Sequence, residues 1–367
     1  MHVLIVGASV AGPALAALLA DEGHAVTIVE RAPALRRGGQ AIDIRGVALR
    51  VAERLGLREE LERVRTRMRG MTMLDGQGRE LGRTDERTVT AGRLDSGDVE
   101  VLRDELTVRL HARMGERVEV VFGDTVTALT DTAGGVHVTF ERGAPRTFDL
   151  VVGADGLHSR VRSLVFGAES TFVHSLGVQV AIFSMPNFLG LEDWQVWLMG
   201  DERGYGIFPV NGNREIRVNT QFAAVPGLAA SRDTERQRDA VADALAPLGW
   251  ETPRIVEGLR SAHDFYFDEI AQVRMASWSS GHVVLVGDAA HCPSPNSGQG
   301  TSLALVGAHV LAQEITRATT LPDALRRYED RLRPFVAQNQ ALALETPGQP
   351  ASDASIERAK NAIALEA

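Results

Sequence analysis

Two kinds of apolar pattern alternate along the first 30 residues. His2 to Val6 is a short run that predicts a buried strand, Pro13 to Ala20 a largely buried helix, and Val26 to Glu30 a second strand. Gly23 stands where a helix stop belongs. Over 46–69, Val47, Leu49, Val51, Leu55, Leu57, Leu61 and Val64 supply one apolar side and predict a helix. From Met71 to about Asp98 the pattern turns to β, with a hairpin signature at Asp75–Gly78. A helix is predicted again at about 99–114. Two strands follow around 117–129 and 135–140, joined at Gly134-Gly135.

Phe148 to Val152 predicts another buried strand. Residues 171–222 then alternate as antiparallel strands, with turns at Asp201–Gly204 and Asn211–Asn213. A helix is predicted at about 232–247, a strand at His282–Val286, and helices at about Gly300–Thr316 and Pro322–Leu344. Parallel-type strands therefore fall early, in the middle and late, with β-rich inserts between them. That order predicts an α/β class: one discontinuous, doubly wound domain over 1–70, 99–169 and 271–320, and a second, inserted β-sheet domain over 71–98 and 170–270. A C-terminal helix (321–345) and a tail (346–367) complete the chain.

Composition narrows the function. The 367 residues carry 39 basic and 48 acidic side chains, a net charge of −9, which argues against nucleic-acid or anionic-membrane partners. Cys292 is the sole cysteine, so no internal disulfide and no cysteine-based zinc site is expected, and a cytoplasmic setting fits. The histidines show no metal-binding spacing, and no metal is expected. Residues 2–20 are apolar but lack a preceding Lys or Arg and run into Asp21-Glu22, which is unlike a targeting segment.

The chemistry-bearing residues begin at Gly7-Ala8-Ser9-Val10-Ala11-Gly12, between the first strand and the first helix. A dinucleotide-binding turn has glycines at the first, third and sixth positions, and the helix N-terminus faces the phosphates. Ser9 replaces the middle glycine here. Glu30 ends the second strand, where a carboxylate can accept from ribose hydroxyls. Gly7-x-Ser9-x-Ala11 also has the outline of a hydrolase nucleophile elbow, but no earlier strand precedes it to supply an oxyanion hole. Two more elements stand out: Asp155-Gly156 directly after a buried strand, and Gly287-Asp288-Ala289-Ala290-His291 continuing to Pro295 and Gly298-Gln299-Gly300.

Together with Arg103 in Val101–Leu106, these motifs resemble the single-component, FAD-dependent aromatic hydroxylases of the para-hydroxybenzoate hydroxylase type, over essentially residues 1–340. The short chain and the run GGQAIDIRG look most like the tetracycline-inactivating and antibiotic-tailoring monooxygenases. The resemblance implies a Rossmann-like FAD domain in which Gly7, Ser9, Ala11, Gly12 and Glu30 hold the ADP half. It implies that Arg103 reaches the middle of the cofactor and Asp288 the ribityl chain or pyrophosphate region. Pro295, Gly298, Gln299 and Gly300 would pass the flavin ring, and Asp155 and Gly156 would support it from the D-G turn. It further implies NADPH (or NADH) as electron donor, O2 as co-substrate, and transfer of one oxygen from a flavin C4a-hydroperoxide to an electron-rich aromatic or polycyclic molecule. No side chain is expected to act as a catalytic base. Two positions depart from the family pattern: Ser302 stands for the usual asparagine and Gly307 for the usual aspartate.

Other residues have plainer readings. Arg31, Arg36, Arg37 and Arg45 read either as a solvated arginine face or as contacts for cofactor phosphates, Arg36 or Arg37 foremost. Asp43 reads as a flavin contact or a strand-end turn, and His291 as a packed loop histidine ahead of a proton shuttle. Trp197, Phe208, Asn219 and Gln221 lie on the inserted sheet that is expected to roof the flavin and are the candidate substrate contacts. Two further readings remain: a related flavoenzyme doing epoxidation or Baeyer–Villiger oxidation, and a non-catalytic flavin-binding protein. A flavin-dependent halogenase is disfavoured, because Trp194-Gln-Val-Trp197 has the wrong spacing and Lys360, the one lysine, is terminal.

Overall fold

A computed structural model describes residues 1–35, 38–231, 233–345 and 351–365. The chain divides into two compact units: Met1–Arg65, Gly97–His174 and Ala271–Ala367 form the first, and Thr66–Ser96 with Ser175–Ile270 the second.

The first unit is built on β1 (His2–Val6), α1 (Ala11–Asp21) and β2 (Ala25–Glu30). Val3 to Val6 are all buried, the continuous apolar run of a strand covered on both faces. β1 pairs in parallel with β2 on one side and with Leu150–Gly153 on the other. Val118–Phe122 and Val283–Leu285 extend the parallel sheet outward, and Ser279–Ser280 adds a short antiparallel edge. The doubly wound α/β arrangement expected from the sequence is what the chain adopts. Helix Leu321–Glu345 packs on helix Gly300–Arg317, and its Tyr328 hydroxyl donates to the Leu285 carbonyl at 3.1 Å.

Several elements differ from expectation, each for a local reason. The 46–69 helix is two helices, Val47–Arg54 and Arg58–Val64, because Gly56 turns the chain with φ +71°. The helix predicted from 99 starts at Arg103, because Val99–Leu102 pairs antiparallel with β3 (Ala41–Ile44). Residues 117–140 form three strands rather than two. The tail carries a further helix, Asp353–Lys360, capped by the Ser352 hydroxyl.

The second unit is a seven-stranded sheet covered on one face by helices Thr234–Leu245 and Thr252–Ser261, the latter absent from the sequence reading. Met71–Asp75 pairs in parallel with Gln195–Gly200, so the two inserts share one sheet. Phe183, Leu198, Ile207 and Val218 alternate toward the helices and join their apolar core. Among the described residues no helix is long and apolar enough to cross a membrane.

The turn after β1 is packed backbone against backbone, with no room for a side chain at its glycines. A Cβ on Gly12 would stand 2.0 Å from the Gly7 carbonyl oxygen, and one on Gly7 2.4 Å from that of Ala154. Gly12→Ala is therefore expected to lower the urea midpoint of the cofactor-free protein by the equivalent of about 1–3 kcal/mol. Gly82→Ala, where no atom lies within 4 Å of the added Cβ, should shift it by less than about 0.5 kcal/mol.

Candidate cofactor site

The residues singled out at the first unit's motifs gather beyond the carboxyl ends of its parallel strands, where open α/β sheets bind ligands. At the end of β2, Glu30 accepts from the Ala8 N–H through Oε2 at 2.9 Å and from the Ala32 N–H through Oε1 at 2.8 Å. Each oxygen keeps a lone pair for a ribose hydroxyl. A cleft there is lined by Ala8, Ser9, Glu30, Ala32, Ala34, Leu35, Arg103 and Thr107. Ser9 has negative φ, so the turn itself does not demand a glycine there, and its side chain lines the cleft. Arg103 also donates to the Gly38 carbonyl at 3.1 Å, and a Cβ on Gly39 would collide with it.

Two long helices begin here without side-chain caps. α1 starts behind Val10 and helix Gly300–Arg317 behind Gln299, and neither has an acidic residue in its first turn. Their first N–H groups and positive dipole ends are left for another acceptor. Gly287 packs on Ala11, and Gly300 lies beside Asp288, so the glycine turn, the G-D element and the second helix start are neighbours. Asp288 is the one exposed residue between Val283 and Ser294. The protein crowding around it nonetheless raises its carboxyl above the usual range. In the adjoining loop Ser294 has φ +82° and Gly298 is left-handed. Gln299 is fully buried with neither amide atom bonded, an orphan that calls for a partner.

Other candidates have different surroundings. Asp155 accepts from the Ser159 hydroxyl at 2.6 Å and from the N–H groups of Arg160 and Val161 at 2.7 and 3.1 Å, so its carboxylate caps the following helix. Burial still raises its pKa. Gly156, at φ +83°, turns the chain just after it. Arg162 is buried and ties this turn to the G-D element, donating to the carbonyls of Leu157 and Ala289. Arg45 corrects the solvated-face reading: it is 5% exposed and paired with Asp43 at 2.8 Å, because β3 runs beside the Gly298 loop. Burial pushes the Asp43 carboxyl up to about 7 against the pull of Arg45. The Ser302 hydroxyl accepts from the Arg45 N–H at 3.0 Å and so fastens β3 to the helix. Arg31 is exposed, and Arg36 and Arg37 lie outside the described residues.

His291 is packed: it is 1% exposed, both ring nitrogens lack partners, and its ring centroid lies 4.9 Å from that of Trp278. A Cβ on Gly307 would stand 3.5 Å from its Nε2, so the histidine fills space that glycine leaves. The sequence reading missed Arg162, Thr107 and His111. The last two follow Arg103 at intervals of four along one helix, a spacing visible in the sequence.

In the second unit, Trp197, Phe208, Asn219 and Gln221 point to the sheet face opposite the helices, since Leu198, Ile207, Val218 and Phe222 take the other. Trp197 lies over Gly206, where a Cβ would come within 2.5 Å of the ring. Its Nε1 donates to Gln195 Oε1 at 2.9 Å, and Asn219 Oδ1 is buried without a partner.

A family model described as an FAD binding domain matches residues 1–343. The chain belongs to this FAD-binding family of flavin-dependent monooxygenases. Among curated relatives of this FAD-binding family, the uncharacterised protein Rv1260 of Mycobacterium tuberculosis is 45% identical, covering 99% of each chain. A flavin-dependent monooxygenase of Legionella longbeachae is 35% identical over 94% of this chain and 88% of its own. Among solved structures, the tetracycline destructase Tet(55) superposes with a TM-score of 0.89 at 33% identity, covering 100% of this chain and 98% of its own. The residues present fit FAD: two uncapped helix starts, an open carboxyl at Asp288 and a glycine-lined approach.

Burial holds the His291 pKa down to about 3 and that of His309 to about 4, against 6.5 for a free imidazole. Below pH 6.5 the unfolded chain takes up protons that these buried rings refuse, so stability is full above pH 6.5 and falls as pH drops. Thermal and urea unfolding of His291→Leu between pH 6.5 and 4 should show a shallower loss than wild type. The slopes should differ by up to about 1.4 kcal/mol per pH unit. Equal slopes would mean that His291 is not buried in neutral form.

Proposed function

We propose that the protein binds FAD in the crevice of the first unit, takes two electrons from NADPH or NADH, and places one oxygen atom of O2 on an electron-rich aromatic or polycyclic small molecule. The observation that carries this reading is the pair of uncapped helix starts converging with Asp288 at one edge of the parallel sheet. When bound, the flavin supplies the redox and oxygen chemistry: substrate, O2, NAD(P)H and a proton give hydroxylated substrate, water and NAD(P)+.

The chain's own part is binding, orientation and exclusion of water. The N–H groups opening α1, with Ser9 and Arg103, would hold the diphosphate, and Glu30 the adenosine ribose. Asp288, with its raised pKa, would bond the ribityl hydroxyls. The Pro295–Gly300 loop and the N-terminal end of helix Gly300–Arg317 would border the flavin ring and favour negative charge on it. Asp155 and Arg162 act one step back, fixing the D-G turn and the G-D element against each other. His291, neutral and buried, is assigned packing rather than proton transfer. The second unit's part is assigned to the face bearing Trp197, Phe208, Asn219 and Gln221. A planar ring can stack there on Trp197, and the buried Asn219 carbonyl offers an acceptor for a substrate hydroxyl. The similarity to a tetracycline destructase over the whole chain supports the polycyclic reading.

Wild-type protein should purify yellow, with FAD that denaturation releases. Asp288→Ala should weaken FAD affinity about tenfold, the loss of one hydrogen bond to a ligand hydroxyl. Anaerobic mixing with NADPH and with NADH, with and without a panel of phenols, should bleach the flavin in at least one combination. Failure of every combination would leave a flavin-binding protein without this activity, or one fed by a separate reductase.

A further inference from the structure

Helix Arg103–Met114 does more at the crevice than present Arg103. Arg103, Thr107 and His111 are spaced four apart and share a face. Arg103 and Thr107 line the cleft with Ala8, Ser9 and Glu30. One turn further, His111 is half-buried, with its ring stacked on Phe122 at 6.1 Å between centroids and its Nε2 3.0 Å from the Ala8 carbonyl oxygen. A carbonyl oxygen only accepts, so Nε2 carries the hydrogen. Burial lowers the ring's pKa, so it is this neutral tautomer that holds the bond near pH 7.

The bond falls at a sensitive place. Ala8 is held at both ends: its N–H donates to Glu30 and its carbonyl receives His111. In a trans peptide the C=O and the next N–H lie in one plane and point in opposite directions. Fixing the Ala8 carbonyl therefore fixes the direction of the Ser9 N–H, which has no partner among the described residues. The Ser9 amide also precedes the uncapped start of α1, where an anion is favoured. The middle glycine of the motif is missing here, so the turn carries a side chain on a residue whose backbone has to approach the ligand closely.

Resting on the FAD reading above, we propose that His111 is a cofactor-positioning residue that locks the Ala8–Ser9 peptide and aims the Ser9 amide at a diphosphate oxygen of FAD. It touches the turn and not the flavin, so its effect belongs to the ADP half of the cofactor. Any ligand carrying that half feels it equally.

The test is titration of cofactor-free protein with FAD and, separately, with ADP. His111→Leu removes the donor at similar volume, His111→Gln keeps an amide N–H able to reach Ala8, and thermal unfolding is measured alongside. The expected result is a loss of about tenfold for both ligands in His111→Leu, equivalent to one hydrogen bond, with most of it recovered in His111→Gln. If His111→Leu does not fold, His111→Asn, whose shorter amide falls short of Ala8, serves as the arm without the bond. Wild-type affinity for ADP in the arm without the bond overturns the proposal, as does His111→Gln binding no better than that arm at equal thermal stability. Wild-type protein that binds neither FAD nor ADP removes the FAD reading itself, an outcome distinct from an intact wild type with an indifferent variant.

Discussion

The bond from the Ala8 N–H to the Glu30 carboxylate is the constraint on which the cofactor site depends. It joins the end of β2 to the turn after β1, and the second carboxylate oxygen takes the Ala32 N–H, so the chain leaving β2 is fixed by the same group. The turn is then closed from beneath by Gly7 against Ala154 and by Gly12 against Gly7, contacts that leave no room for a Cβ. The start of α1 is thereby placed within the crevice with its first N–H groups uncapped. On the proposed reading, the diphosphate of FAD is the anion that would complete that arrangement.

The parts of the site that were legible in the sequence are those written in one contiguous strand–turn–helix stretch. Gly7, Gly12 and Glu30 lie within one such stretch, as do Asp155-Gly156 and Gly287-Asp288. The parts that were not legible depend on partners far away in sequence. Arg45 looks like one of a row of surface arginines until β3 is seen pairing with Val99–Leu102 and fastened to Ser302. His111 carries no motif, and only the fold brings its ring to a carbonyl 103 positions earlier. Ser9 departs from the motif, which expects glycine there. The structure shows that the position needs no positive φ, so a small side chain is tolerated.

In the second unit, Trp197, Phe208, Asn219 and Gln221 share one sheet face because the other must supply the core under helices Thr234–Leu245 and Thr252–Ser261, while strand alternation alone did not say which face is which. Nor did the apolar pattern reveal the second of those helices, whose apolar residues are only Ile255, Val256 and Leu259 after a proline start. Nor could it show that Trp197 lies flat over Gly206 with its indole N–H tied to Gln195. That geometry depends on cross-strand register, which a single strand's pattern does not contain.

The most direct test of the account is amide hydrogen exchange of the cofactor-free protein with and without FAD. If the two helix starts hold the cofactor, FAD should slow exchange at residues 9–12 and 300–302, whose N–H groups lack acceptors among the described residues, while helix Thr252–Ser261 of the second unit keeps its rate. Protection confined to other segments, with both helix starts exchanging as before, would contradict it.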